Sequence, residues 1–192
     1  MKKLLVIIAL GLFLATPLKA DDIQDFQIEG MSIGDSALDF FNENQIIKNS
    51  KNYYKNKKFT PVQNDNIPFF KEYDSVDFQF KTGDKKYVIH SLSGIIDFRH
   101  NIEECDKKLD EIVREFSKID VDGIKKKPKR SWKTSINNVD TYITFVDFLF
   151  TSGGSVSIAC YDYEQGSNAQ DHLNVAIDTK EFDYFITYEA YK

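Results

Sequence analysis

The chain has 192 residues, 42% hydrophobic and 14% aromatic, with 30 acidic side chains against 25 basic ones. That apolar content can build a core, which excludes a disordered chain, and its length suits one medium domain or two small packed halves. The acid excess repels phosphate backbones, so nucleic acid is a poor partner.

Lys2 and Lys3 precede an apolar run from Leu4 to Ala15, and Pro17 and the small residue Ala20 follow before Asp21 and Asp22. This is the pattern of a secretory signal cleaved after Ala20. The run is short for a membrane span. Three lysines leave with the leader, so the expected product carries 22 basic and 30 acidic residues. A periplasmic or secreted location follows, with membrane contact at most peripheral.

Residues 31–49 read as helical. Asp35 or Ser36 can cap a first turn holding Leu38 and Phe41, and Asn42 with Gln45 can open a second. Val76, Phe78 and Phe80 alternate with Asp77, Gln79 and Lys81, which predicts a strand with one wet face. Gly83-Asp84 turns it, and Tyr87 to Leu92 returns until Gly94 breaks the strand. Residues 101–119 form the clearest helix. Asn101 caps it, Glu104 completes a capping box, and Cys105, Leu109, Ile112, Val113 and Phe116 make its apolar stripe. From Gly123 to Arg130 the lysine run and Pro128 predict an exposed connector without regular structure. Tyr142 to Phe150 is a strand, Gly153-Gly154 a turn, and Val156, Ile158 and Cys160 the inward face of the next strand. Leu173 to Ile177 adds another. Asp178 and Glu181 then open a short terminal helix with Phe182, Phe185 and Ile186 on one side.

The fold class is therefore α+β, with helices packed on one face of antiparallel sheet. Asp77 to Gly83 echoes Asp147 to Gly153, and the same offset lays the 101–119 helix over 31–49. That divides the mature chain into two helix-then-strands halves, 21–99 and 100–192. Cys105 and Cys160, the chain's two cysteines, fall on facing surfaces of helix and strand. In an oxidising compartment they predict one disulfide stapling helix to sheet.

Candidate chemistry is sparse. Gly34-Asp35-Ser36 resembles the nucleophile block of GDS-type esterases, which would make Ser36 a nucleophile. The family's buried strand before the serine is missing, and Asp171-His172 are adjacent where the family separates the pair by two residues. A helix cap accounts for the same three residues. His90, His100 and His172 lack metal-ligand spacing, and no cofactor motif is present. Asp162, Glu164, Asn168 and Asp171 offer oxygen ligands around a turn, as either a calcium loop or a solvated acidic one. Lys125, Lys126, Lys127, Lys129 and Arg130, with Trp132 beside them, are candidate contacts for anionic headgroups. A lysine-guarded strand edge explains them equally. Tyr142, Phe148 and Phe150 could line a site for an apolar or aromatic ligand, or serve as core.

Ile28 to Ser36, the Cys105 helix and Cys160-Tyr161-Asp162 resemble a family of small uncharacterised exported proteins of marine alphaproteobacteria. The helix-plus-sheet halves and Gly30-Met31-Ser32 are similar to modules of β-lactamase-inhibitor proteins and small outer-membrane assembly lipoproteins. The resemblance implies modules that bind proteins and perform no chemistry. The leading expectation is an exported, non-catalytic binding or envelope-associated module with a protein or envelope component as partner. A Ser36 esterase and a periplasmic ligand carrier are the alternatives.

Overall fold

Large apolar residues recur at every second position in strand after strand, and that alternation gives the sheet one greasy face to be covered. The computed structural model describes residues 23–65, 67–119, 123–136 and 138–192; the leader and its cut after Ala20 lie outside them. A small ribbon of β1 (Gln27–Ile28) and β2 (Met31–Ser32) opens the described chain, and α1 (Glu43–Asn49) follows. Then come β3 (Phe59–Asp65), β4 (Ser75–Lys81), β5 (Ser91–Asp97), the long helix α2 (Ile102–Phe116), β6 (Ile124–Lys126) and β7 (Arg130–Ile136). The chain ends with β8 (Val139–Phe150), β9 (Ser155–Tyr163), β10 (His172–Asp178) and α3 (Lys180–Tyr188).

Strands β3 to β10 make one antiparallel sheet in the order β3-β4-β5-β10-β9-β8. The long β8 is paired at one end by β6 and at the other by β7. The last strand in sequence, β10, is thus inserted between β5 and β9. It welds α1-β3-β4-β5 to α2-β7-β8-β9 in a single layer.

One face carries Val62, Phe78, Leu92, Val175, Ile158 and Val146, all buried. Over its β8–β10 half lies α2, packing Leu109, Ile112 and Phe116 downward. The β1–β2 ribbon and α1 supply Ile28, Met31, Phe41 and Ile46 to the same core. Burying each such side chain contributes about 1.5–3 kcal/mol. Phe116 touches Phe148 with ring centroids 4.4 Å apart, and Phe26 stacks on Phe116 at 4.9 Å. The predicted disulfide is present: Cys105 on α2 is bonded to Cys160 on β9, with their Cα atoms 6.0 Å apart.

Several expectations are corrected. The stretch 31–49 is not one helix: it begins in β2, makes a single 3-10 turn at Ala37–Asp39 capped by Ser36, then forms α1 with its Asn42/Gln45 capping box. Gly94 does not break its strand; it sits in the middle of β5, because the Tyr73 ring lies where a Cβ would be, 2.5 Å away. The return strand starts at Ser91, not Tyr87, since Asp84 accepts from the Lys86 and Val88 N–H groups and curls 84–88 into a loop. Lysines in the 123–130 segment do not prevent β6. Only three residues of it pair, at the margin of β8 with the lysine side chains in solvent, and Pro128 falls in the gap before β7. The terminal helix is capped by Thr179, one residue beyond the predicted Asp178. Finally, the helices do not share one face. Phe182 and Phe185 of α3 pack on Phe59 and Tyr54 on the opposite side of the sheet.

Candidate functional site

Because side chains alternate across a strand, the covered face fixes what the other face must carry. Residues aligned across the strands form rows there. One row runs Gln63, Asp77, Ser93, Ala176, Ser157, Asp147 across β3, β4, β5, β10, β9 and β8. Beside it run Pro61, Gln79, Ser91, Asp178, Ser155 and Leu149. On the other side lie Ser75, Ile95, Asn174, Ala159 and Phe145. The middle of this face is therefore floored by small residues: Ser91, Ser93, Ala176, Ser157 and Ala159. Larger groups stand at its edges and close over Ser91, Ser93 and Ala159, which are buried, so what stays open is a shallow trough above half-buried Ala176 and Ser157.

One wall is built by the chain's own end. Asp183 of α3 accepts from Ser155 Oγ at 3.1 Å. Tyr54 donates its hydroxyl to Gln79 Oε1 at 2.9 Å and sets its ring edge-on to Phe185 at 5.1 Å. The far wall is Asp147, which accepts from Ser157 Oγ and from Arg130, each at 2.9 Å. Beyond it Trp132, largely exposed, packs on Phe145.

Acids dominate the trough, and two of their oxygens have no partner. Asp77 uses one oxygen to accept from Gln63 Nε2 at 3.1 Å, while its Oδ1 is covered and unbonded. Oδ1 of Asp178 and Oδ1 of Asn174 are likewise covered and unbonded. Such groups are rare in folded proteins, since each costs about 1–3 kcal/mol. Burial pushes the Asp178 carboxyl up to about 7, against the Ser91 hydrogen bond and with help from Asp183. Burial also raises Asp77 to about 6, opposed by Gln63 and Lys51 and aided by Asp65. Asp183 rises to about 6, through burial and the Asp147 charge.

The residues singled out from sequence lie elsewhere. Ser36 Oγ donates to the Lys86 carbonyl at 2.7 Å and accepts from the Leu38 N–H at 3.2 Å, so its hydroxyl serves a helix cap. His172 stacks on Tyr161 with centroids 4.6 Å apart, and burial lowers its pKa. Asp171 is buried and accepts from the Tyr163 N–H at 2.9 Å, which ties the acidic turn to β9. Of the basic segment, Lys129 pairs with Asp110 and Arg130 with Asp147, each at 2.9 Å, and Lys126 reaches Ser117 Oγ at 3.2 Å. Phe148 and Phe150 are core beneath α2, while Tyr142 is exposed on β8 where β7 and β9 flank it. Of these residues only Arg130 reaches the trough, through its bond to the wall residue Asp147. What sequence reasoning missed is Asp77, Asn174, Asp178 and Asp183. Their signal was present: Ser91/Ser93, Ser155/Ser157 and Asn174/Ala176/Asp178 are small or polar at every second position, where a plainly solvated face would carry long charged side chains.

Comparison with known proteins does not name the chain. No family model matches it, and no curated protein matches it. Among solved structures, the solution structure of cyanobacterial PsbP (CyanoP) from Synechocystis sp. PCC 6803 is similar at a TM-score of 0.35 and 8% identity. That similarity spans 72% of this chain and 84% of the other.

Proposed function

We propose that this chain is an exported, non-catalytic binding module, and that its recognition surface is the trough between Tyr54, α3 and Asp147. The observation that carries the reading is the set of covered, unbonded oxygens of Asp77, Asn174 and Asp178 on one half-covered sheet face. Natural proteins rarely leave such atoms unpaired unless a partner completes them. Export is supported by the Cys105–Cys160 disulfide, a bond that persists in oxidising compartments, and by the leader pattern of residues 1–20.

Native mass spectrometry of the protein purified from its own host tests the reading. A non-covalent adduct that disappears on denaturation, and is reduced by Asp178→Asn, is the expected result. A bare polypeptide mass together with turnover of a short-chain ester that Ser36→Ala abolishes would replace this reading with the esterase one.

A further inference from the structure

One edge of the sheet is left open, and it lies outside the trough. We propose that β7 is a docking strand for an extended acidic segment of another protein, which adds to the sheet as its next strand. The long β8 bonds its two flanks from alternate residues. On the β9 side the Asp140 carbonyl accepts from the Glu164 N–H at 2.9 Å and the Phe150 N–H donates to Gly154 at 3.2 Å; on the other side the Asp147 carbonyl accepts from Lys127 at 2.8 Å. Odd residues of β8 therefore face β7, and their aligned partners Arg130, Trp132, Thr134 and Ile136 bond inward. Ser131, Lys133 and Ser135 are left with N–H and C=O groups pointing out of the sheet, and among the described residues no backbone group meets them. The opposite edge is closed. Ser50 bridges Val62, the Lys51 N–H donates to the Pro61 carbonyl, and the N–H that Pro61 lacks falls on the outer side. Among the described residues, β7 carries no proline, bulge or covering segment along its length.

The charge of this edge sets the partner. Six bases and no acid lie between 125 and 133, in a chain whose mature part carries 22 basic and 30 acidic residues. Asp110, Asp147 and Asp140 hold Lys129, Arg130 and Lys133, so Lys125, Lys126 and Lys127 are in excess. A second copy of this chain is disfavoured, because antiparallel pairing of β7 with itself about its central residue sets Lys133 against Lys133. An incoming strand with a carboxylate at every second position places those charges beside Lys133 and its neighbours. Its alternate side chains fall on the face where Trp132 packs on Phe145 and stays 54% exposed, which suits β-branched residues. Main-chain bonds hold such a strand, and the two faces select its sequence. Phospholipid headgroups have the charge but no backbone to complete the ladder.

Trp132 is the chain's single tryptophan, so its fluorescence reports on this edge. The mature, disulfide-bonded chain is titrated with a blocked heptapeptide alternating Val and Glu. Expected is a saturable blue shift, with affinity at least tenfold greater than for the same peptide carrying Lys in place of Glu. N-methylation of alternate peptide residues, which removes donors and keeps the charge, should weaken binding at least tenfold. Ser131→Pro deletes one outward N–H and leaves the β7–β8 bonds in place; it and Lys133→Glu should each do the same with unchanged circular dichroism. Lys48→Glu on α1, beside the opposite edge, should not. No saturable shift at millimolar peptide would reduce the lysines to a guard against aggregation and overturn the proposal. Equal binding of the N-methylated peptide, or binding untouched by Ser131→Pro, would replace strand addition with charge contact alone. A dimer of the free chain that Ser131→Pro dissolves would replace the acidic partner with a second copy.

Discussion

Replacing Asp178 with Asn isolates the cost of keeping an acid with one unbonded oxygen in the trough. The Asp178 carboxyl is raised from 3.8 to about 7 by burial. A carboxyl raised on folding binds its proton more tightly in the folded chain, so stability falls as pH climbs from the unfolded value through the folded one. Well below pH 3.8 both states are protonated and nothing is lost. Above pH 7 the full difference is lost, about 4 kcal/mol at 1.36 kcal/mol per unit. Asn keeps the shape and never ionises, so it removes that loss. Its advantage over Asp should therefore grow between pH 5 and pH 8.5 by roughly 2–3 kcal/mol, the portion of the titration in that window. Urea unfolding of both proteins at the two pH values measures it, with the m-value checking that the two-state reading holds. If the stability difference is the same at pH 5 and pH 8.5, Asp178 is not buried unpaired, and the argument for the trough fails with it.

Three further outcomes test the frame around the site. Gly94→Ala puts a Cβ 2.5 Å from the Tyr73 ring carbons and should cost about 1–3 kcal/mol by overpacking; adding Tyr73→Ala should recover part of it in a double-mutant cycle. Glu29 Oε1 accepts from the Lys71, Glu72 and Tyr73 N–H groups at 2.8, 2.7 and 3.0 Å. Glu29→Ala should therefore cost about 1.5–3 kcal/mol and speed amide exchange at residues 71–73; unaltered exchange there would mean the carboxylate does not organise the loop. Because acids already hold Lys129 and Arg130, converting Lys125, Lys126, Lys127, Lys129 and Arg130 to Gln should leave binding to anionic vesicles unchanged. A fall in sedimented protein would support the headgroup surface expected from sequence.

Regular elements were legible wherever one residue type repeats at the period of the structure. The Cys105 stripe gave α2 to within a few residues, and the Phe78/Phe80 and Ile158/Cys160 alternations gave β4 and β9 with the correct side inward. Their covalent link followed from two residues and a compartment. Errors arose where a distant group decides a local conformation. No property of Gly94 announces that Tyr73 will fill the space above it. The position of α3 was illegible for a similar reason: Phe182 and Phe185 mark an apolar side but not which sheet face receives it, and Phe59 with Tyr54 settles that from far along the chain. The trough was hidden by the same ambiguity. Asp77 and Asp178 alternate with apolar residues as solvated acids do, and only the arrival of Tyr54 and α3 makes their burial expensive.

The two faces of the sheet contribute independently to total stability, and that independence can be measured. Closing the 55-residue separation between Cys105 and Cys160 stabilises by about 4 kcal/mol on the chain-entropy model. Ionised Asp178 destabilises by about the same amount at alkaline pH. The residues lie on opposite faces of neighbouring strands. Asp178 is aligned with Ser155, five positions along β9 from Cys160, so the sites are about 17 Å apart and their effects should add. Cys105→Ala with Cys160→Ala should then lower stability by about 4 kcal/mol at either pH. Adding Asp178→Asn should return most of that loss at pH 8.5 and visibly less at pH 5. Equal recovery at both pH values would show that Asp178 acts through packing, while no recovery at either would show that its charge is already compensated. The pattern expected is that of a fold whose covalent staple offsets the cost of ionising a buried carboxyl on the opposite face of the sheet.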